Sequence, residues 1–303
     1  MTIIQGILLG VLQGIAEFLP ISSSGHLTLA QHLFGLDEVP LLFDVFLHLA
    51  TLAAVILYFR KKVWKLIKVL GRWIARRPEP ETAELSDDLL MGNDKAGRKT
   101  IIAIIISTAI TGAIGVVTSK LIPELPVKCI CVGFIITSIL LVVSSILSNR
   151  QNSLAENSEN NANAENAETA VAKTSNEEPK GISILQSVII GLMQGFGTLP
   201  GISRSGSTIA GALFSKVDRK AAGDYSFIVS IPAILGAFIL ELKDLGEVSQ
   251  SVGAAPLIAG CAAAFAVGYI SLVLLMKLIR RGKLQWFACY LIPVAILGLI
   301  FLH

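Results

Sequence analysis

The chain alternates between long apolar runs and short polar interruptions, and this pattern predicts a bundle of membrane-spanning helices. Several runs reach the roughly 20 apolar residues that a membrane helix needs. The approximate bounds of the six candidate spans are 41–59, 100–121, 126–148, 222–242, 254–279 and 284–302. Of the 303 residues, 53% are hydrophobic and only 16% are charged. The sequence therefore predicts an all-α polytopic membrane protein.

Two further apolar segments, residues 1–35 and 181–216, are interrupted in the middle by proline, glycine and serine. Each segment divides into two short helical pieces. Non-helical backbone at membrane depth is tolerated only where it is buried in protein or lines a wet cavity. We therefore expect two re-entrant helical hairpins, which enter the membrane and return to the same side.

Basic residues concentrate in two connections, 60–99 and 277–283. The stretch 149–180 is polar, rich in Asn, Ala and Glu, and typical of a flexible linker. The positive-inside rule predicts that the linker and both basic connections are cytoplasmic, in a multi-pass protein of the plasma membrane. The net charge of only +3 gives no indication of a nucleic-acid partner.

The two broken segments match each other without a gap when position 3 of the chain is aligned with position 184. In this alignment polar residues match inside apolar runs, such as Gln13 with Gln194 and Ser24 with Ser205. Chance matches of common apolar residues are expected, but polar matches within apolar runs are not. The chain therefore contains an internal repeat.

The number of spans sets the relative orientation of the two repeats. Three predicted spans follow each broken segment, and this odd number turns the second half upside down. We therefore predict an inverted-topology repeat with halves 1–148 and 181–303. In transporters this arrangement places the binding site near the membrane midplane, between the halves.

The aligned halves differ at positions that carry chemistry. Glu17 aligns with Thr198, Ser23 with Arg204, and His26 with Ser207. An arginine at membrane depth costs several kcal/mol unless it is paired or hydrated, so Arg204 is expected to be functional. Its setting is "PGISRSGST", residues 200–208, a hydroxyl-rich turn that opens a helix. A guanidinium and the N–H groups of a helix start suit a phosphate. Pairing with a carboxylate for packing is the alternative.

The first half adds a base and two candidate nucleophiles. Gln13 and Glu17 are four residues apart and share a helical face just before the break at Pro20. Ser23 and His26 follow the break, and either side chain type is able to attack phosphorus. Three residues on later spans are expected to support the cluster: Asp44, His48 and Asp224. Asp224 is expected either to pair with Arg204 or to order the second broken segment. The residues predict hydrolysis at a phosphate or pyrophosphate group of a substrate that has a lipid tail.

These motifs resemble those of the undecaprenyl-pyrophosphate phosphatase family of the bacitracin-resistance type. "QGIAE" (13–17) continuing into "FLPISSSGH" (18–26) is similar to the first family motif, and "PGISRSGST" is similar to the second. The resemblance implies conversion of a polyprenyl diphosphate to the monophosphate, the lipid carrier of cell-wall glycan synthesis, and with it bacitracin resistance. It also implies a site that opens toward the outer face. Membrane lipids are further expected partners, and a homodimer is compatible with the resemblance.

The resemblance assigns roles to the motif residues. Glu17 would hold a divalent cation, Mg²⁺ or Ca²⁺, or activate the nucleophile, which is Ser23 or His26. Arg204 would clamp the diphosphate. The other residues expected to bind the substrate are Gln13, Ser22, Ser24, Gly201, Ser203, Ser205 and Thr208.

Two other functions are weighed against this one. A lipid or solute transporter would share the inverted repeat, but it would not need a nucleophile. A phosphatase of the acid-phosphatase type shares "SSGH" and the pair Ser203–Arg204. It would need a histidine near position 210, where this chain has Ala210.

Overall fold

A computed structural model describes residues 1–36, 41–79, 88–121, 126–165, 180–241 and 253–301. These residues form eleven α-helices and no strands. The first six are α1 (Ile3–Phe18), α2 (Ser23–Leu33), α3 (Leu41–Tyr58), α4 (Arg60–Ile74), α5 (Asp94–Leu121) and α6 (Val127–Glu165). The others are α7 (Ile184–Phe196), α8 (Arg204–Phe214), α9 (Arg219–Glu241), α10 (Ala254–Arg280) and α11 (Trp286–Phe301).

Within the described residues, four helices are long and apolar enough to cross a membrane: α5, α6, α9 and α10. They correspond to four of the six predicted spans. The predicted span 41–59 forms α3, after which the chain bends by 78° into α4. The predicted span 284–302 forms α11, which has only 16 residues. The fold is that of a multi-pass, all-α membrane protein. Residues 242 and 302, the ends of two predicted spans, lie outside the described residues.

The internal repeat found in the sequence is also present in the local structure. Helices α1 and α7 begin at aligned positions, and α2 and α8 both begin and end at aligned positions. Both first helices start with a capping box, Thr2 with Gln5 and Ser183 with Gln186. An N-cap serine also precedes each of the two second helices. The repeated caps fix where each piece starts. The opposite orientation of the halves stays a prediction.

The two halves interlock through their short helices. Helix α1 packs along α10 of the other half, and α7 packs along α5. Gly6 and Gly10 lie against the backbone of Pro256 and Gly260, so that α1 and α10 approach at backbone distance. Small residues permit such close packing of membrane helices, where dispersion contacts replace the hydrophobic effect as the source of stability.

The two breaks in the broken segments lie beside each other. A Cβ on Gly206 would be 3.1 Å from the ring of Pro20. Helix α6 holds the second break: Thr137 Oγ1 accepts a 3.0 Å hydrogen bond from the Ser203 N–H and donates a 3.4 Å bond to the Gly201 carbonyl. Gly201 has a φ of +84°, and a side chain there would overlap Ile130.

Helix α6 continues beyond the predicted end of its span at 148 and reaches Glu165. The first part of the predicted linker, 149–180, is therefore helical. The remainder of that linker up to residue 179 lies outside the described residues.

The contact between α1 and α10 yields a test. The change Gly10→Ala places a methyl group on the Gly260 carbonyl, so the free energy of unfolding should fall by about 1–3 kcal/mol. On α5, nothing lies within 4 Å of a Cβ added to Gly112, so Gly112→Ala should not lower the free energy of unfolding. Denaturant unfolding in detergent measures both. Equal stability of the two variants would contradict the close helix contact.

Candidate active site

The two broken segments meet in a buried ion pair. Glu17 lies in the last turn of α1, and Arg204 is the first residue of α8. The guanidinium Nη2 donates to Glu17 Oε1. The Glu17 side chain is only 3% exposed and that of Arg204 22%. A carboxylate from one half of the chain thus neutralises the arginine of the other half.

The second oxygen of Glu17 gathers further donors. Ser23 Oγ donates to Glu17 Oε2 over 2.6 Å, and Gln13 Nε2 donates to the same atom over 3.1 Å. His48 Nε2 on α3 lies 3.5 Å from it. The structure therefore brings together five sequence-predicted residues, of which the two in the ion pair are 187 positions apart in the sequence.

Asp44 and His48 support this cluster from α3 in different ways. His48 Nδ1 is 2.8 Å from the Asp44 carbonyl oxygen, which only accepts, so Nδ1 carries the proton. Nε2 is then the atom that faces Glu17. The Asp44 carboxylate instead accepts a 2.9 Å hydrogen bond from Gln31 Nε2. Asp44 thereby ties α2 to α3 and orders the hairpin without touching Glu17.

His26 is oriented by partners other than the ion pair. Its Nδ1 lies 2.9 Å from the carbonyl oxygen of Ser22, and its Nε2 lies 2.9 Å from the hydroxyl of Tyr290. The ring stacks on Tyr290, with centroids 5.7 Å apart, and contacts Phe134 at 4.9 Å. A carbonyl oxygen only accepts, so Nδ1 carries the proton of the neutral ring. Nε2 therefore accepts a hydrogen bond from the Tyr290 hydroxyl. The two candidate nucleophiles are thus in different settings, Ser23 on Glu17 and His26 on Tyr290.

Tyr290 was missed by the sequence reasoning. It lies on α11, and its hydroxyl bonds to a residue 264 positions away. The available indication was the residue type, since a tyrosine hydroxyl inside an apolar span usually finds a partner. Residue type alone does not identify that partner.

The hydroxyls around Arg204 mainly shape the start of α8. Ser203 Oγ accepts the Gly206 N–H at 3.1 Å and lies 3.2 Å from Ser205 Oγ. Thr208 Oγ1 donates to the Arg204 carbonyl at 2.6 Å. In the first half, Ser22 Oγ makes the matching N-cap contact and lies 3.5 Å from Ser24 Oγ. These residues hold Arg204 in the first turn of a helix, where N–H groups lack intrahelical partners and suit the binding of an anion.

A narrow cavity lies beside the ion pair. Its polar lining consists of Glu17, Arg204, Ser205, Thr208, Thr51, Ser226 and Ser230. The free space is about 10 Å³, close to what one water molecule needs. Ser226 Oγ is buried and has no hydrogen-bond partner among the described residues. The sequence did not predict three of these residues, Thr51, Ser226 and Ser230. Ser226 lies only two residues after Asp224, which was predicted.

The expectation that Asp224 pairs with Arg204 is wrong. Asp224 Oδ2 accepts a 2.5 Å hydrogen bond from Lys62 Nζ on α4, and the same ammonium lies 2.6 Å from Asp88. Arg204 already has Glu17, so Asp224 joins α9 to α4 instead.

The donor set fits a divalent cation in part. The described residues contain no group of three or more His, Cys, Asp and Glu side chains arranged for a metal. However, Gln13 Oε1 is fully buried and has no partner among them, and its amide is bonded to Glu17. Mg²⁺ and Ca²⁺ prefer oxygen ligands, and Mg²⁺ commonly takes few protein ligands and completes its shell with substrate phosphates and water. Glu17 and Gln13 are compatible with such a site.

Comparisons with known proteins agree with the motif resemblance. The family model described as "Bacitracin resistance protein BacA" matches residues 6–297. The undecaprenyl-diphosphatase of Treponema denticola is 44% identical over 98% of this chain and 96% of its own length. The protein of the same name from Desulfatibacillum aliphaticivorans is 36% identical over 97% of each chain. The Methanobrevibacter smithii protein is 34% identical, covering 96% of this chain and 94% of its own.

The ion pair predicts a non-additive response to mutation. Arg204→Gln leaves Glu17 buried without its cation, so the free energy of unfolding should fall by about 3 kcal/mol. Adding Glu17→Gln removes the stranded charge and should recover part of that loss. The exposed control Arg281→Gln should change stability by less than about 0.5 kcal/mol. Denaturant unfolding in detergent measures these proteins together with the Glu17→Gln single variant, and a double variant whose loss equals the sum of the two single losses would refute the coupling.

Proposed function

Since the chain belongs to the BacA family of bacitracin resistance proteins, we propose that it is a membrane phosphatase of polyprenyl diphosphates. The name shared by the relatives points to undecaprenyl diphosphate as the substrate. Water would cleave the terminal phosphoanhydride, giving inorganic phosphate and the lipid monophosphate. The observation that carries this proposal is the 2.6 Å hydrogen bond from Ser23 to Glu17, next to the guanidinium of Arg204. Base, nucleophile and cation together suit phosphoryl transfer.

Arg204 is proposed to bind the terminal phosphate. In the structure its guanidinium is held by Glu17, and the adjoining cavity has room for about one water molecule. A diphosphate would therefore replace Glu17 as the partner of Arg204. This exchange keeps the arginine paired throughout, and it frees one carboxylate oxygen of Glu17 for proton transfer. The N–H groups at the start of α8 would bind the other phosphate oxygens.

Ser23 is the better placed of the two nucleophile candidates. Its hydroxyl already donates to Glu17 Oε2, so Glu17 would take the proton as Ser23 Oγ attacks the terminal phosphorus. The bond to the bridging oxygen breaks, and the lipid monophosphate leaves with that oxygen and with the proton that Glu17 took from Ser23. Water then attacks the phosphorus of the phosphoserine and gives up a proton to Glu17. Glu17 returns this proton to Ser23 Oγ as the bond from Oγ to phosphorus breaks and inorganic phosphate leaves. Both steps balance without a further reactant.

His26 is the alternative nucleophile. Its Nε2 is engaged by the Tyr290 hydroxyl, so attack would require that hydrogen bond to break first. Glu17 and the Gln13 amide oxygen would hold a divalent cation, which when bound neutralises charge on the phosphate oxygens.

The arrangement in the membrane is part of the proposal. Equal helix starts in both halves and the reciprocal packing of α1 on α10 and α7 on α5 support an inverted-topology repeat with re-entrant hairpins. Basic connections in the cytoplasm would then leave the site open to the outer face of the plasma membrane. There the enzyme would regenerate the carrier for cell-wall glycans and so confer bacitracin resistance.

Phosphate release from undecaprenyl diphosphate by the purified protein tests the activity. A transporter moves its substrate between the two sides of a membrane without cleaving it. In detergent there are no sides, so a transporter would produce no signal in this assay. Arg204→Ala should lower turnover by about a hundredfold or more, because the clamp for the developing charge is lost. Ser23→Ala should have a comparable effect. A chelator should reduce activity if Glu17 and Gln13 hold a cation.

Trapping the phosphorylated enzyme distinguishes between the two candidate nucleophiles, Ser23 and His26. Wild-type protein quenched during turnover with a denaturant at neutral pH, where phosphoserine and phosphohistidine both survive, should contain phosphoserine at position 23. Tyr290→Phe should retain phosphoserine formation, since the hydrogen bond shown for the Tyr290 hydroxyl is made to His26. Phosphohistidine at position 26, with Ser23→Ala fully active, would overturn the assignment. Wild-type turnover by Arg204→Ala would overturn the proposed site.

Single cysteines test the topology. In a background without the native cysteines, Phe34→Cys should react with an impermeant maleimide in intact cells. Lys216→Cys and Arg281→Cys, at the ends of α8 and α10, should react only after permeabilisation. Labelling of positions 34 and 216 from the same side would exclude the inverted arrangement.

A further inference from the structure

Helix α4 has three distinct faces. Leu66 and Val69 are buried, and Val69 packs against Gly97 of α5. Successive residues turn by about 100° around a helix, which separates the other side chains into an apolar and a basic arc. The main residues of the exposed apolar arc are Trp64, Ile67, Leu70 and Ile74, exposed by 58%, 50%, 38% and 75%. The basic arc consists of Lys61, Lys65, Lys68 and Arg72.

The direction of α4 suits the surface of a membrane. The chain bends by 78° between α3 and α4, so α4 turns away from the line of the preceding apolar helix. An amphipathic helix with aromatic residues on one side and cations on the other lies in the interfacial plane of a bilayer. Lys68 Nζ lies 5.8 Å from the centre of the Trp64 ring. Lysine stems and tryptophan rings commonly meet at the depth of the headgroups.

A basic pocket opens between the end of α4 and the start of α5. Its volume is about 430 Å³, and Trp73 and Ile102 form its apolar walls. The cations in its lining are Lys95, Arg98 and Lys99. Arg98 Nε is buried and has no hydrogen-bond partner among the described residues. A buried guanidinium N–H without an acceptor costs free energy, so an anion that accepts from this atom would be stabilising.

The acids in the pocket lining are already engaged. Asp94 accepts from Arg72 Nε at 2.8 Å and from a second guanidinium nitrogen of that residue. Glu79 Oε1 accepts the N–H of Asp94 at 2.9 Å and so caps the start of α5. The remaining charge of the pocket is therefore positive. No residue of the candidate active site takes part in it.

We propose that the pocket and the outer faces of α4 form a binding site for the headgroup of an anionic phospholipid. The phosphate would accept from Arg98, with Lys95 and Lys99 around it, while the acyl chains would lie along Trp73 and the apolar arc of α4. A zwitterionic headgroup would bring its own cation into this positive pocket, so it fits less well. Free phosphate would satisfy Arg98 but would leave the apolar arc without a partner.

Lipid binding to the purified full-length protein tests this site. Native mass spectrometry with phosphatidylglycerol and phosphatidylcholine, matched in acyl chains, should show tighter binding of phosphatidylglycerol. Arg98→Gln should weaken phosphatidylglycerol binding by about fivefold. The double variant Lys95→Gln/Lys99→Gln should weaken it by about fivefold for each lysine removed. Arg98→Lys should restore part of it. The control Lys120→Gln/Lys128→Gln, which removes two exposed cations on α5 and α6, should have no effect.

A second measurement tests the depth of α4. The variant Trp73→Phe/Trp286→Phe keeps Trp64 as its only tryptophan. In vesicles of equal parts phosphatidylcholine and phosphatidylglycerol, brominated acyl chains should quench its fluorescence. Equal binding of both lipids, unchanged phosphatidylglycerol binding in the pocket variants, or an unquenched Trp64 would each overturn the proposal. Phosphate release in detergent should be unchanged in the pocket variants, which shows that they are folded. Displacement of the lipid by inorganic phosphate alone would indicate an ion site instead.

Discussion

The structure depends on one buried contact, the ion pair of Glu17 and Arg204. A guanidinium inside a membrane needs a counter-charge, and here that charge comes from the opposite half of the chain. Both breaks must therefore lie side by side, with Pro20 on Gly206 and the second break held by Thr137. The same contact holds Ser23 on the carboxylate. Stability and the proposed chemistry share a single set of atoms.

The sequence predicted much of this arrangement because the repeat is recorded in polar residues. The alignment of the two broken segments located both second pieces, and α2 and α8 begin and end at equivalent positions. Membrane burial then explains why Gln13, Glu17, Ser23 and Arg204 gather, since each would be unsatisfied alone in lipid. Family membership, predicted from the same motifs, is confirmed by the matched family model.

Contacts between distant helices were not predictable in the same way. Tyr290 meets His26 because α11 and α2 both contact α6, and nothing local to either residue encodes that pairing. Asp224 was expected to pair with Arg204 or to order the second broken segment, but Lys62, which follows the bend after α3, bonds to it instead. The continuation of α6 into polar sequence could not be predicted from the apolar pattern that marked the end of the span.

The glycine contact between α1 and α10 also constrains how the protein is made. Helix α1 is synthesised well before α10, which provides the backbone surface that receives Gly6 and Gly10. Until α8 is synthesised, Glu17 lacks its counter-ion Arg204, and until α10 is synthesised, α1 lacks its packing partner. The contacts that fix the N-terminal helices can therefore form only after most of the chain has been synthesised.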